Sequence, residues 1–119
     1  MSKTIVLGAS TNPARVSYQA IHRLKNKGEE VVPIGIKKGS VADIPIINDR
    51  PAVEDVDTVT LYLNPQRQLD YYDYIFSLQP KRIIFNPGTE NAELSKLARE
   101  KGIASENACT LVLLATDRY

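Results

Sequence analysis

The sequence has few of the side chains on which metal sites, disulfides and nucleophilic catalysis depend. It contains one cysteine and one histidine among 119 residues. Because Cys109 has no second cysteine to pair with, an internal disulfide and a cysteine zinc cluster are both excluded, as is typical of proteins from reducing compartments. Neither Cys109 nor His22 has a nearby partner in the sequence that would activate it. We therefore assign no catalytic residue and no metal site.

Long hydrophobic runs are absent as well. The chain passes from Met1 through Lys3 straight into a short apolar strand, without the extended hydrophobic region of a signal peptide or a membrane span. We therefore expect a cytoplasmic protein with no membrane partner.

The sequence also lacks an excess of charge of either sign. Fifteen Lys and Arg residues against 14 Asp and Glu residues give a net charge of +1, which argues against a general nucleic-acid binder but leaves room for a local basic site that meets a phosphorylated small molecule. Hydrophobic residues make up 43% of the chain and charged residues 24%, and low-complexity runs are missing. This composition predicts one well-packed domain over residues 1–119.

Strand-like and helix-like segments alternate along the chain. Short apolar runs at 4–7, 30–36, 56–63 and 81–85 have the length and composition of buried strands, and a last short strand is predicted at 103–105. Helical periodicity follows at 14–27, 66–78, around 94–98 and at 108–116. Such alternation predicts right-handed crossovers and an α/β, three-layer Rossmann-like domain with a mostly parallel sheet of five to six strands.

Two segments are less regular. Residues 44–47 form at most a short edge strand because Pro45 weakens it, and 51–55 are expected to form one helical turn. In the helix predicted at 66–78, the core face carries Leu69, Tyr72 and Phe76. Tyr71 and Tyr74 point to another face, where they are candidates for a homodimer contact.

The turn from the first strand to the first helix has the character of a phosphate-binding turn. Gly8 allows close approach of a ligand, Asn12 is placed to cap the helix with its side chain, and Pro13 suits the first helical position. Free N–H groups at the start of that helix would then face an anion, with Arg15 beside them.

The loop after the second strand indicates which anion this is. In a parallel sheet of this kind, ligands bind at the carboxyl ends of the strands, beside the point where the strand order reverses. A dinucleotide site for NAD usually ends the second strand with a carboxylate for the ribose, whereas this chain has Lys37 and Lys38. Ammonium groups there favour a phosphate on or near the ribose. Coenzyme A and NADP both fit.

These features together resemble a known family, the small CoA-binding domain proteins, which are similar to the CoA-binding half of the succinyl-CoA synthetase α subunit. The resemblance covers essentially the whole chain. It is carried by Gly8-Ala9-Ser10 with Pro13, Arg15 and Tyr18, by Gly28 at the end of the first helix, by Val32-Pro33, by Asn86-Pro87-Gly88, and by a strand that ends near Cys109.

The resemblance implies a role for several of these residues. Gly8, Ala9, Ser10 and Arg15 would hold the pyrophosphate, Pro33 to Gly35 would border the adenine, Lys37 or Lys38 would meet the ribose phosphate, and Leu63 with Asn64 would lie against the nucleotide. The predicted cofactor-binding residues are Gly8, Ala9, Ser10, Thr11, Asn12, Arg15, Pro33, Ile34, Gly35, Lys37, Lys38, Leu63, Asn64, Asn86 and Gly88.

Three function classes remain open from the sequence. The favoured one is non-catalytic binding of coenzyme A or an acyl-CoA, since the residues favour a binding module over an enzyme. The second is an NADP-binding module of the oxidoreductase type. The third is a protein-interaction scaffold with a vestigial nucleotide crevice.

Overall fold

The fold is a single parallel sheet covered by helices, described over residues 3–119 in a computed structural model. The strands are β1 (Lys3–Leu7), β2 (Glu30–Ile34), β3 (Ser40–Val41), β4 (Ile44–Pro45), β5 (Val56–Leu61), β6 (Arg82–Phe85) and β7 (Ala104–Asn107). Five of these seven form the main sheet in the order β2-β1-β5-β6-β7, and all four pairings are parallel. The two remaining strands, β3 and β4, make a small antiparallel hairpin.

Helices connect the parallel strands, and their ends follow from local sequence. Asn64 and Asn91 cap two of them, because each side-chain oxygen accepts the N–H of the residue three positions on. A short 3₁₀ turn, Leu69–Tyr71, lies between two of the helices. The helices are α1 (Val16–Asn26), α2 (Pro65–Gln68), α3 (Tyr72–Ser77), α4 (Ala92–Glu100) and α5 (Thr110–Ala115). Within residues 3–119, none of them is both long and apolar enough to cross a bilayer.

The core has two layers, one on each face of the sheet. On one face, Ile5, Leu61 and Phe85 pack with side chains of α3 and α4. On the other face, Val6 and Val31 pack with side chains of α1 and α5. The predicted three-layer Rossmann-like fold with a mostly parallel sheet of five to six strands is therefore confirmed.

The strand order reverses next to β1. The chain places β2 on one side of β1 and then returns to place β5 on the other, after which β6 and β7 extend the sheet outward. The strands end together at one edge, which we call the carboxyl edge. The crevice that parallel sheets of this type use for ligands lies there, between the ends of β1 and β5.

The predicted single helix at 66–78 is wrong in detail. The 3₁₀ turn Leu69–Tyr71 separates α2 from α3 and changes which residues face the core. As a result Leu69 is 56% exposed, whereas Tyr74 is only 8% exposed and donates its hydroxyl to the Pro51 carbonyl at 2.7 Å. Tyr74 is therefore unavailable for the homodimer contact considered above.

Two other local predictions change. Residues 51–55 do not form a helical turn. Residues 44–47 contribute to two pairings: β4 pairs with β3, and Ile47 bridges to Ile34 at the outer side of β2. The edge of β2 is thereby covered. Pro33 has no N–H to donate, but its carbonyl oxygen accepts the N–H of Ile47 at 2.9 Å.

Candidate functional site

The first loop, residues 8–15, leads from β1 into α1 and is fixed to the neighbouring strand. The N–H groups of Gly8 and Ala9 both donate to the Ile34 carbonyl at 2.9 Å. Gly8 has a φ of +100°, and a Cβ added there would lie 3.0 Å from the main-chain carbon of Tyr62. Both the backbone conformation and the close approach of the residues that follow β5 therefore require glycine at this position.

The predicted capping role of Asn12 is wrong. Its side chain accepts the N–H of Ala14 at 2.9 Å, so it closes a local turn before the helix starts. α1 begins at Val16 with Arg15 as its N-cap, no side chain in the described part of the chain caps it, and Pro13 lies outside the helix. A short polar side chain two residues before an available N–H competes with the cap, and here the local turn is the one that forms.

This arrangement leaves amides free for a ligand. Within residues 3–119, no acceptor contacts the N–H groups of Ser10 and Thr11 in the first loop or of Val16 and Ser17 in the first turn of α1. The side chain of Arg15, at the same turn, is exposed. Free amides and the positive end of a helix dipole form an environment that favours a phosphate.

The lysine loop, residues 35–39, packs directly on the first loop. A Cβ on Gly35 would lie 2.3 Å from the carbonyl oxygen of Ala9, and one on Gly39 would lie 2.5 Å from Cγ2 of Thr11. Lys37 and Lys38 are exposed, and no salt bridge involves either of them in the part of the chain that the structure describes. Two loops that the sequence predicted as separate parts of one site are therefore in contact.

Asn48 holds the lysine loop in place. Its Nδ2 donates to the carbonyls of both Gly35 and Lys37 at 2.9 Å. The sequence analysis did not single out Asn48, because it stands in a segment read only as the end of a weak strand. The long-range contact to the lysine loop is visible only in the fold.

The loop after β5 lies beside the first loop, and the resemblance implies that its residues Leu63 and Asn64 lie against the nucleotide. Leu63 is close enough that its Cδ2 would be 3.1 Å from a Cβ on Gly8. Asn64 is exposed and accepts the N–H of Arg67 at 2.9 Å, which starts α2. The fully buried Gln68 donates to the carbonyls of Leu63 and Thr89 at 2.8 Å, and so ties this loop to the next one.

The loop after β6 is occupied by contacts within the protein. The Asn86 side chain is buried, donates to Thr60 Oγ1 at 2.6 Å and to the Leu61 carbonyl at 2.9 Å, and accepts the N–H of Thr110 at 2.9 Å. The N–H of Gly88 donates to a carboxylate oxygen of Glu90 at 2.9 Å. Asn86 thus positions the start of α5, and the carboxylate beside Gly88 disfavours a phosphate there.

The remaining predicted residues differ in exposure. Ala9, Pro33 and Ile34 are buried, while Gly8, Ser10 and Gly35 are partly exposed. Side chains available to a ligand are exposed at Thr11, Asn12, Arg15, Lys37, Lys38 and Asn64.

Tyr62, the residue after β5, is partly buried and packs on the core layer beneath α1 and α5. The hydroxyl of Tyr62 is buried without a hydrogen-bond partner within the described chain. Burial raises its pKa to about 12, and the nearby hydroxyls of Thr110 and Thr60 oppose this only in part. Those two hydroxyls instead bond to each other at 2.8 Å. Tyr62 is therefore neutral at ordinary pH.

Two pockets differ in their relation to the site. One of about 320 Å³ adjoins the end of β2 and is lined by Ile34, Gly35, Ile36, Asn48, Asp49, Arg50 and Tyr71. The other, of about 280 Å³, lies at the opposite edge of the sheet, where Lys27 and Asp117 form an ion pair at 3.0 Å. No group of three or more His, Cys, Asp or Glu residues is placed to hold a metal ion among residues 3–119.

Comparisons with known proteins agree with this architecture. The structure superposes on that of an uncharacterised protein with 54% sequence identity and a TM-score of 0.97, covering 100% of this chain and 98% of the other. A conserved hypothetical protein from Pyrococcus furiosus is 25% identical, with a TM-score of 0.82 and coverage of 94% of this chain and 98% of that one. No curated protein matches the chain.

A larger protein contains the same fold as one part. The dinucleotide-forming acetyl-coenzyme A synthetase 1 of Ca. Korarchaeum cryptofilum is 20% identical with a TM-score of 0.71, and the match covers 89% of this chain but 25% of that one. At this identity the likeness shows the fold alone. The model of the CoA binding domain family, by contrast, matches the sequence over residues 2–115. The chain therefore belongs to the CoA binding domain family.

Proposed function

We propose that the chain binds coenzyme A or an acyl-CoA at the carboxyl edge of its sheet, without catalysing a reaction. Family membership supports the class of ligand. The observation that carries the proposal is the contact between the two loops, in which Gly39 of the lysine loop lies against Thr11 of the first loop. This contact supports a site in which free amides and two lysines act on one anionic ligand.

The chemistry of coenzyme A suits these groups. Its pyrophosphate would accept from the free amides of Ser10 and Thr11 and from the first turn of α1, with Arg15 alongside. Its ribose 3′-phosphate would meet Lys37 and Lys38, which stand where an NAD site usually has an acid. Leu63 and Asn64 would border the nucleotide from the β5 side.

The other predicted residues would act by shaping the site. Gly8, Gly35 and Ala9 permit the close packing of two loops, and the buried Pro33 and Ile34 end the strand below them. Asn86 would support the neighbouring loop through α5, and we expect Gly88 to contribute least because its amide is already bonded to Glu90. We expect the protein to carry out this role in the cytoplasm.

The rival function is binding of NADP, whose ribose also carries a phosphate. Both ligands would bind the lysines through their ribose phosphates. The choice between CoA and NADP therefore depends on how the remaining part of each ligand is bound. A scaffold that binds no nucleotide is the third alternative. Titration calorimetry with CoA, dephospho-CoA and NADPH separates the three.

We expect CoA to bind more tightly than dephospho-CoA by about 5-fold to 30-fold, which corresponds to one charge-assisted contact. The double variant Lys37→Ala/Lys38→Ala should lose that preference. The matched control Lys81→Ala/Lys96→Ala, which removes two exposed lysines elsewhere, should keep it.

Other outcomes would contradict specific parts of the proposal. Equal affinity of the wild type for CoA and dephospho-CoA would remove the role given to the lysines. Tighter binding of NADPH than of CoA would favour the rival ligand, and the absence of heat with all three compounds would favour the scaffold.

A further inference from the structure

The side chains of the lysine loop do little to hold its shape. Lys37 and Lys38 are exposed, and Ile36 between them and β2 is 75% exposed, so none of the three is packed into the core. Residues 35–39 also belong to neither β2 nor β3, so no strand pairing fixes the middle of the loop. The direction of the two lysines therefore depends on hydrogen bonds from elsewhere in the chain.

The segment after β4 supplies these hydrogen bonds. The main chain of residues 46–47 bonds to both ends of the lysine loop, at Gly35 and Gly39. Between the ends, the Lys37 carbonyl accepts from Nδ2 of Asn48 at 2.9 Å, and the same nitrogen donates to the Gly35 carbonyl at 2.9 Å. Within residues 3–119, Asn48 has the only side chain that hydrogen-bonds to this loop.

The chemistry of these two hydrogen bonds requires a primary amide. The amide nitrogen of asparagine carries two hydrogens, so it can donate to two carbonyls at once, whereas an ionised carboxylate of the same shape can only accept. Asn48 is itself exposed, so its side chain adds little to the core. Its contribution to the structure is therefore the pair of hydrogen bonds that it makes to the lysine loop.

The position of Asn48 is referred to the same strand end as the first loop. Asn48 follows Ile47, which bridges to Ile34 and donates its N–H to the Pro33 carbonyl at 2.9 Å. The Gly8 N–H of the first loop donates to the Ile34 carbonyl, also at 2.9 Å. The free amides and the lysines are thus both fixed relative to the end of β2, which preorganises them for two phosphates of one ligand.

We infer that Asn48 is a positioning residue for ligand specificity. Through the carbonyls of Gly35 and Lys37 it holds the two lysines where a ribose phosphate would lie, and it thereby determines the preference for CoA over dephospho-CoA. Asn48 acts through the lysines and does not itself bind the phosphate. The inference rests on the proposed function, since it adds a residue to the same site that neither the sequence nor the family resemblance had marked.

The test measures the affinities of Asn48→Ala for CoA and dephospho-CoA by titration calorimetry. CoA should bind about 5-fold more weakly than to the wild type, because the lysines no longer face its 3′-phosphate. Dephospho-CoA lacks that phosphate, so its affinity should stay within about 2-fold of the wild-type value. A role of Asn48 in general stability would instead weaken the binding of both ligands alike, and that result would overturn the inference.

Two further variants control for shape and for the loss of an asparagine. Asn48→Asp keeps the size of the side chain but directs a carboxylate at two carbonyls, so it should also lose the preference for CoA. Asn26→Ala is the matched control, because Asn26 is exposed and ends α1 at the edge of the sheet opposite the site. It should keep the wild-type preference.

A double-mutant cycle tests whether Asn48 acts through the lysines. In the Lys37→Ala/Lys38→Ala protein, adding Asn48→Ala should change the affinity for CoA by less than about 2-fold, since the groups that it positions are gone. A further loss of about 5-fold in that background would show that Asn48 acts independently of the lysines and would overturn the inference.

The two proposals fail in different ways. If Lys37→Ala/Lys38→Ala loses the preference for CoA while Asn48→Ala and Asn48→Asp keep it, Asn48 has no role in specificity, although the proposed function stands. If the wild type binds no CoA, the proposed function itself is wrong.

Discussion

Replacing Gly35 by alanine should separate the two loops that make up the proposed site. The added Cβ would lie 2.3 Å from the carbonyl oxygen of Ala9, so the lysine loop and the first loop must move apart by about 0.7 Å to reach even the 3.0 Å below which real Cβ contacts essentially never occur. The contact is with backbone, which cannot rotate away as a side chain can. We expect overpacking to destabilise the protein by about 1–3 kcal/mol.

Gly28→Ala is the matched control for this change. Gly28 has a φ of +86° and open space around its Cα, and it lies at the edge of the sheet opposite the site. Alanine there should cost a similar amount of stability, about 1–2 kcal/mol, because the left-handed backbone conformation is strained for residues with a Cβ. The two variants thus lose stability for different reasons at different edges.

Their affinities for CoA should differ even though their stabilities are similar. Displacing groups of a preorganised site by about 1 Å costs up to about 100-fold in catalysis, and we expect about 10-fold weaker binding of CoA by Gly35→Ala, with Gly28→Ala unchanged. Urea denaturation measures the stabilities, and titration calorimetry below the unfolding transition measures the affinities. Equal affinity for CoA in the wild type and Gly35→Ala would refute the argument that contact between these loops builds the site.

Two further predictions concern the support of the site. Asn86→Ala should destabilise the fold by about 2–4 kcal/mol in urea denaturation, because the Thr110 N–H and the Leu61 carbonyl lose their buried partner; a loss below about 0.5 kcal/mol would contradict this. Stability should also fall as the pH rises from 10 to 12. The pKa of Tyr62 is about 12 in the folded protein and 10.0 in the unfolded chain, so over this range the Tyr62 hydroxyl loses its proton more readily in the unfolded chain, which favours unfolding. Tyr62→Phe should remove roughly 2–3 kcal/mol of that fall. It should not destabilise the protein at pH 7, because the hydroxyl is buried without a partner among residues 3–119; an unchanged pH profile would contradict the assignment.

The arrangement of the sheet could be predicted from the sequence because it depends on repeated, local patterns. Each apolar run is followed by turn residues and a helical segment, and parallel crossovers leave few arrangements open. The loops that carry Gly8, Lys37 and Asn64 were expected at one edge for the same reason, since parallel strands all end on the same side.

Other features could not be predicted because they depend on competition between local contacts or on distant partners. Asn12 was expected to cap α1, but an equally local turn to Ala14 captured its side chain. The 3₁₀ turn before Tyr72 shifted the helical register, so Tyr74 became part of the core and Leu69 did not. The roles of Asn48 and Asn86 arise from residues more than ten positions away, which no local pattern reveals.

The central claim is that a CoA-type ligand binds at the carboxyl edge, and amide NMR spectra recorded during a CoA titration test it most directly. Gly8, Gly35 and Gly39 lie at that edge, whereas Gly28 and Gly102 follow α1 and α4 at the opposite one. We predict that the amide signals of the first three shift as CoA is added while those of Gly28 and Gly102 stay in place. Shifts confined to Gly28 and Gly102, or unshifted signals throughout at millimolar CoA, would contradict the account.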